Sequence, residues 1–133
     1  MRVIEEMLST HPDAAASAEL VACIAACHDC TASCTLCADA CLAEEEVVHL
    51  RRCIRLNLDC ADICAVTAAV LSRQTAAEAS VVRAQLEACL RVCEACAEEC
   101  GGHAEHHEHC RVCAERCRRC ADACRALLGS LSA

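Results

Sequence analysis

The chain has 133 residues, 12 basic against 20 acidic side chains, and a formal net charge of −8. That length suits one domain, the arginines are too scattered to form a nucleic-acid stripe, and no run of about 18 consecutive apolar residues proposes a membrane span. Phe, Trp and Tyr are absent while 18 residues are cysteine, so any core must be built from sulfur and aliphatic groups, without the largest apolar side chains.

In chain order, residues 1–12 read as a preface in which Val3, Ile4, Met7 and Leu8 can form a short amphipathic helix that Pro12 ends. A helix is expected over about 13–43, capped by Asp13 and carrying Cys23, Cys27, Cys30, Cys34, Cys37 and Cys41 at gaps 4-3-4-3-4. A second is expected over about 45–72, with Cys53, Cys60 and Cys64. At about 100° per residue Asn57 falls on the same arc, where the pattern would place another cysteine. Thr75 to Glu78 reads as a capping box opening a third helix over about 76–100, with Cys89, Cys93, Cys96 and Cys100 and a stop at Gly101 and Gly102. The fourth spans about 103–128, with Cys110, Cys113, Cys117, Cys120 and Cys124, and ends at Gly129. Short connections make neighbouring helices antiparallel. The expectation is a single all-α domain over residues 1–133: an antiparallel up-down-up-down four-helix bundle with a short N-terminal helix.

Gaps of three and four are the rhythm by which Leu and Ile line a buried helical seam. Here the seam is sulfur. Extended past the cysteines, it becomes Leu20, Leu71, Val82, Leu86, Leu127 and Leu128 at one end, a hydrocarbon plug. The other end gathers Asn57, His49 and the cluster His103, His106, His107 and His109, and is expected to be where metal is admitted.

Residues i and i+4 on one face have Cβ atoms about 5–6 Å apart. Metal–thiolate bonds are about 2.3 Å long, so two sulfurs of one turn can flank an ion, and the Cys-x2-Cys links let one thiolate bridge two ions. Cu(I) suits this arrangement: it is soft and accepts two or three ligands. One monovalent ion per thiolate also cancels the cost of burying charge, which gives a capacity of roughly 18 ions. A single buried cysteine is commonly a small hydrophobe. Packing alone does not favour cysteine over Leu or Val at every seam position.

Among the histidines, His103, His106 and His109 are read as ligands at the polar mouth. His28 and His49 are weaker candidates, and His11 is read as a surface residue. Asp29, Asp39, Asp59, Asp62 and Asp122 flank cysteines off the seam and read as solvated. Met7 reads as packing of the preface helix. A second apolar strip, Val47, Ile54, Leu58, Ala61 and Ala65, suits the bundle flank or an association surface, and a homo-oligomer is expected. The segment MRVIEEMLST carries acids where a signal peptide needs an apolar run, so a cytoplasmic setting is expected, in which thiols stay reduced and disulfides fit poorly.

With the Cys-x3-Cys pairs Cys23/Cys27 through Cys120/Cys124 on inward faces, the chain resembles the bacterial copper storage proteins, most closely their cytosolic branch, over about residues 17–128. The resemblance implies a homotetramer, many Cu(I) ions along the bundle axis, and storage or sequestration of copper without enzymatic activity. By match of position it also implies that Asn57, His103 and His109 are mouth ligands. The alternative from the residues alone is a zinc or cadmium buffer of metallothionein type, which at four sulfurs per ion would hold roughly four or five ions. An iron–sulfur or thiol-redox protein is disfavoured, because no Cys-x2-Cys opens a helix after a strand.

Overall fold

A sulfur stripe on each of four helices is buried only if the stripes face one another, and the computed structural model realises that arrangement. It describes residues 2–14 and 16–131. The helices are α1 (Arg2–Ser9), α2 (Ala18–Leu42), α3 (Arg51–Ser72), α4 (Ala79–Gly101) and α5 (Glu108–Leu131), with a 3-10 turn at Val47–Leu50. The long helices form a ring in which α2 packs on α3 and α5, and α4 packs on the same two helices. The diagonal pairs stay apart and leave an axial column for the seam side chains. This is the four-helix bundle expected from the register of the cysteines.

Helix starts differ from the sequence expectation. The first long helix begins at Ala18 rather than near residue 13, because the Ser17 side chain, not Asp13, accepts from the Leu20 N–H at 3.1 Å. Met1 and Ala15, inside the spans assigned to the preface and the first helix, lie outside the described residues. The second helix starts at Arg51 rather than 45. A 3-10 turn intervenes and drives Leu50, 1% exposed, into the core. Thr75 does not cap the third helix: its hydroxyl meets His11 Nε2 at 3.3 Å, Ala76 adopts a left-handed φ of 55°, and the helix opens at Ala79. The fourth begins at Glu108 rather than 103, since residues 102–106 form turns and the His107 carbonyl accepts the helix's opening N–H groups, from Cys110 and Arg111. Gly129 does not end it, and the helix runs on to Leu131. In α1, Leu8 is buried and Ile4 packs beside it, but Met7 is exposed, contrary to the packing role read for it.

The core has distinct ends. Leu20, Leu71, Leu86 and Leu127 close one of them as a hydrocarbon plug, with Val82 and Leu128 packed at its margin. Thr67 lies next to the plug, fully buried, donating to the Ile63 carbonyl at 2.7 Å and accepting from Gln85 Nε2 at 2.9 Å. Helix α2 has the length and composition of a bilayer-crossing segment, with a mean hydropathy of 1.5 in its most apolar window. Much of that character is cysteine facing the bundle interior, together with Leu20, Ile24 and Ala38.

Capping gives a direct check of the revised first boundary. Ser17→Ala should lower the stability of the metal-free protein by about 1 kcal/mol, measured by urea denaturation. Asp13→Ala should leave it unchanged.

Candidate metal centre

All eighteen cysteines are free thiols, and all are buried. Their sulfurs stack in layers along the bundle axis. Beside the plug Cys23 meets Cys124 at 3.9 Å. Cys27, Cys64, Cys89 and Cys120 follow, with contacts of 3.8–3.9 Å. The next layer is Cys30, Cys60, Cys93 and Cys117, at 3.7–3.9 Å. Cys34, Cys96 and Cys113 share a layer with Asn57, and Cys37, Cys53, Cys100 and Cys110 form the layer beyond it, where the Cys53–Cys100 contact is 3.4 Å. Cys41 completes the column, 4.0 Å from Cys110. Layers are tied along each helix by i,i+4 contacts, such as Cys30–Cys34 and Cys60–Cys64 at 3.8 Å.

Bonds of about 2.3 Å place two ligand sulfurs about 4.6 Å apart around a linear ion, about 4.0 Å around a trigonal one and about 3.8 Å around a tetrahedral one. The observed spacing suits three or four sulfurs per ion without movement, and a linear pair only after the sulfurs spread. Two sulfurs of one turn, read from the spacing as flanking an ion, lie 3.8 Å apart in Cys30/Cys34 and Cys60/Cys64 and hold it only together with sulfurs of other helices unless they spread. Quartets whose ligand atoms lie within 4.8 Å of one another include Cys27/Cys89/Cys120/Cys124, Cys30/Cys64/Cys93/Cys120, Cys30/Cys34/Cys60/Cys117 and Cys34/Cys96/Cys113/Cys117. Cys30, Cys34, Cys117 and Cys120 each belong to two of these quartets, so the geometry shares sulfurs between adjacent positions.

Hydrogen bonding and burial shift the acidity of the thiols in opposite directions along the column. Cys23 is pulled down to about 5 by its hydrogen bonds with Cys124 and then Cys27. Cys30 and Cys113 are lowered, first by their hydrogen bonds with Cys117 and Cys100 respectively, and Cys117 and Cys100 are raised, each first through its bond with Cys113. Cys41 is pushed up to about 11, first by burial and then by the neighbouring Cys53 charge.

Asn57 lies inside the column rather than at its mouth. Its Oδ1 accepts from Cys96, Cys113 and Cys100 at 3.1, 3.3 and 3.4 Å, and its Nδ2 donates to Cys53 at 3.6 Å. No buried side-chain nitrogen or oxygen among the described residues lacks a partner.

At the polar end the structure brings one of the three candidate histidines to the sulfurs. His109 Nδ1 lies 3.4 Å from Cys37 Sγ and 3.6 Å from Cys110 Sγ, and with Cys37, Cys41 and Cys110 it forms a fifth quartet. Its Nε2 is 2.8 Å from Glu44. A proton held there leaves the Nδ1 lone pair facing sulfur, an orientation typical of a metal-ligating imidazole. His103 bonds instead to Glu99 at 2.8 Å, and His106 is exposed in the turn. His28 and His49 are exposed.

Two participants have no role in the sequence reading: Glu44 is missed, and His107 is named in the polar cluster but not as a ligand or support. His107 stacks on His109, with ring centroids 5.5 Å apart, and its Nδ1 reaches the same Glu44 at 2.9 Å. Glu44, held below its ordinary value first by the His109 hydrogen bond, joins both rings. His107 precedes α5 and Glu44 lies in the α2–α3 connection, so neither follows a helical period. The one available signal was their density of charge beside the seam.

A family model described as copper storage protein matches residues 16–129. The structure of the copper storage protein Ccsp from Streptomyces lividans, loaded with 10 copper equivalents, superposes with a TM-score of 0.92 at 50% identity, covering 95% of this chain and 98% of that one. A second structure, of a cytosolic copper storage protein from Streptomyces lividans with five coppers, gives 0.83 at 56% identity over 84% and 92% of the two chains. The Cu(I)-bound copper storage protein BsCsp3 gives 0.71 at 41% identity over 79% and 93%.

The mouth thiol sets a pH dependence with a definite sign. Cys41 has a folded value of about 11 against an ordinary 9.0. The stability it contributes is therefore complete below the lower value and lost as pH rises through the higher one. The melting temperature of the reduced, metal-free protein should fall across that window. Cys41→Ala should flatten the fall, as followed by circular dichroism.

Proposed function

The chain belongs to the copper storage protein family, and from that premise we propose that it stores many Cu(I) ions in the cytosol, on the thiolates of its own bundle core. The carrying observation is the continuous sulfur column, with quartets that share members. Sharing lets the column approach one ion per cysteine, roughly 18, because a soft monovalent ion accepts few ligands and neutralises one thiolate each. The role is storage rather than catalysis, and no residue is assigned a catalytic part.

The proposed ligands are the eighteen cysteines, with His109 at the mouth. His103 and His106, further out on the α4–α5 turn, form the approach to it, and His107 and Glu44 hold the His109 ring in place. Asn57 contributes an oxygen among sulfurs and interrupts the thiolate ladder within the column. Leu58 and Val66 on α3, with Leu36 and Leu42 on α2, are large and exposed. They support association into a homo-oligomer, for which the resemblance points to a tetramer.

A zinc or cadmium buffer is the second reading, favoured by sulfur spacings close to a tetrahedral edge. It leaves two uncancelled negative charges for every four-sulfur site in a dry core.

Anaerobic Cu(I) titration against a competing chelator separates the two readings. Storage requires about 18 equivalents bound per chain, on the one-ion-per-thiolate basis, and saturation at four or five would contradict it. A second test concerns the mouth: His109→Ala should slow loading by about tenfold, the kinetic equivalent of losing about 1.4 kcal/mol at the first capture step, while final capacity stays the same. Equal losses of rate and capacity would count against admission at this end.

A further inference from the structure

Resting on the homo-oligomer of the proposed function, we infer that the groove between α2 and α5 is a two-fold contact with a second copy of this chain, which seals the side of the sulfur column over Cys37 and Cys113. Only these two cysteines show any solvent exposure, 2% and 1%, and both line a groove of about 710 Å³. Leu36 stands on one wall, 69% exposed, and Val112 on the other, 38% exposed. Arg116 on α5 is half-buried there without an ion pair among the described residues, and Asp29 on α2 is likewise unpaired. An apolar pair standing over thiols, flanked by one unpaired charge of each sign, is a surface that a single chain leaves incomplete.

The surface is complementary to itself. The Cys30–Cys117 and Cys34–Cys113 contacts, each 3.7 Å, set α5 against α2 in antiparallel register. With a helical rise of about 1.5 Å per residue, Leu36 and Val112 stand within about 1.5 Å of one level along the axis, and Asp29 and Arg116 within about 3 Å of another. A two-fold axis parallel to the bundle lays α5 on the partner's α2 at the same levels. Val112 then meets the partner's Leu36 and Arg116 meets the partner's Asp29, and symmetry makes each contact twice. A two-fold axis across the bundle would instead set each helix against its own copy, with guanidinium near guanidinium, and the charge complementarity would be lost.

The contact leaves the axial mouth free. Both mouths open at the same end of the pair, and copper still enters past His109. Covering Leu36 and Val112 removes water from above Cys37 and Cys113, so the column is reached through the mouth and not from its side. The α3 strip at Leu58 and Val66, 48% and 53% exposed, remains for a second two-fold contact. Two such contacts about perpendicular axes generate a closed tetramer.

The test is sedimentation velocity on the reduced, metal-free protein. Arg116→Asp and Asp29→Arg each create two like-charged contacts, and each should raise the dissociation constant of this contact by about a hundredfold, about tenfold per contact, with helical content by circular dichroism unchanged. An equimolar mixture of the two variants regains both opposite-charge pairs and should associate like the wild type. Alkylation of Cys37 by iodoacetamide, followed by mass spectrometry, should be faster in either variant alone than in the wild type and slow again in the mixture. Leu36→Asp, at an exposed position, should split the assembly without rescue by either variant. A monomeric wild type, an assembly unmoved by Leu36→Asp, or charge variants that mixing fails to restore would overturn the contact. Copper uptake is a separate readout: an assembly restored by mixing whose chains saturate at roughly four or five ions each, the tetrahedral limit, would overturn the storage reading and leave the contact standing.

Discussion

Thiol packed against thiol, at 3.4–4.0 Å along the bundle axis, is the contact on which the structure depends. It makes an unusual core. Sulfur seams bury less apolar surface than leucine seams, and the chain has no aromatic residue to compensate. The ends therefore carry much of the hydrocarbon packing: the leucine plug with Ile24 at one, and Leu50 at the other. Between them the thiols form hydrogen-bonded chains that share protons. Replacing those shared protons with Cu(I) substitutes one monovalent cation for another and leaves the column's charge nearly unchanged, so a core of this kind can fill without unfolding.

The few oxygen-bearing groups in the core are placed where they divide it. Thr67 occupies a seam position of α3 next to the plug and satisfies itself on Ile63 and Gln85, so the metal-binding column ends there without an orphaned polar atom. Asn57 occupies another, and its single Oδ1 accepts from three sulfurs. A neutral amide at that depth carries no charge to offset an ion, in contrast to the thiolates above and below it. The polar end is organised differently, by one carboxylate: Glu44 holds two stacked imidazoles and leaves His109 Nδ1 facing the outermost thiols. Directionality thus follows from chemistry at the two ends, hydrocarbon at one and nitrogen and oxygen at the other.

Much of this was legible in the sequence because burial in a helix has a period. Alternating gaps of three and four placed the cysteines on inward faces, set Asn57 in register with them and put Leu20, Leu71, Leu86 and Leu127 together. The helix starts were less legible. Asp13 and Ser17 are both good caps, and nothing local says that the chain uses the later one. The Thr75–Glu78 pattern has the residues of a capping box, but a left-handed Ala76 and the pull of His11 on Thr75 redirect it. Extending the α5 register backward favoured His106, whereas the turn at 102–106 breaks the period and leaves it exposed. Glu44 and His109 are 65 residues apart, and no periodicity connects a loop residue to a helix start.

The most direct measurement of the central claim is X-ray absorption spectroscopy at the copper edge on the anaerobically loaded, reduced protein. Inward sulfurs shared between neighbouring ions require a first shell dominated by sulfur at about 2.3 Å, together with scattering from nearby copper. A shell of nitrogen or oxygen, or isolated ions without copper neighbours, would contradict it.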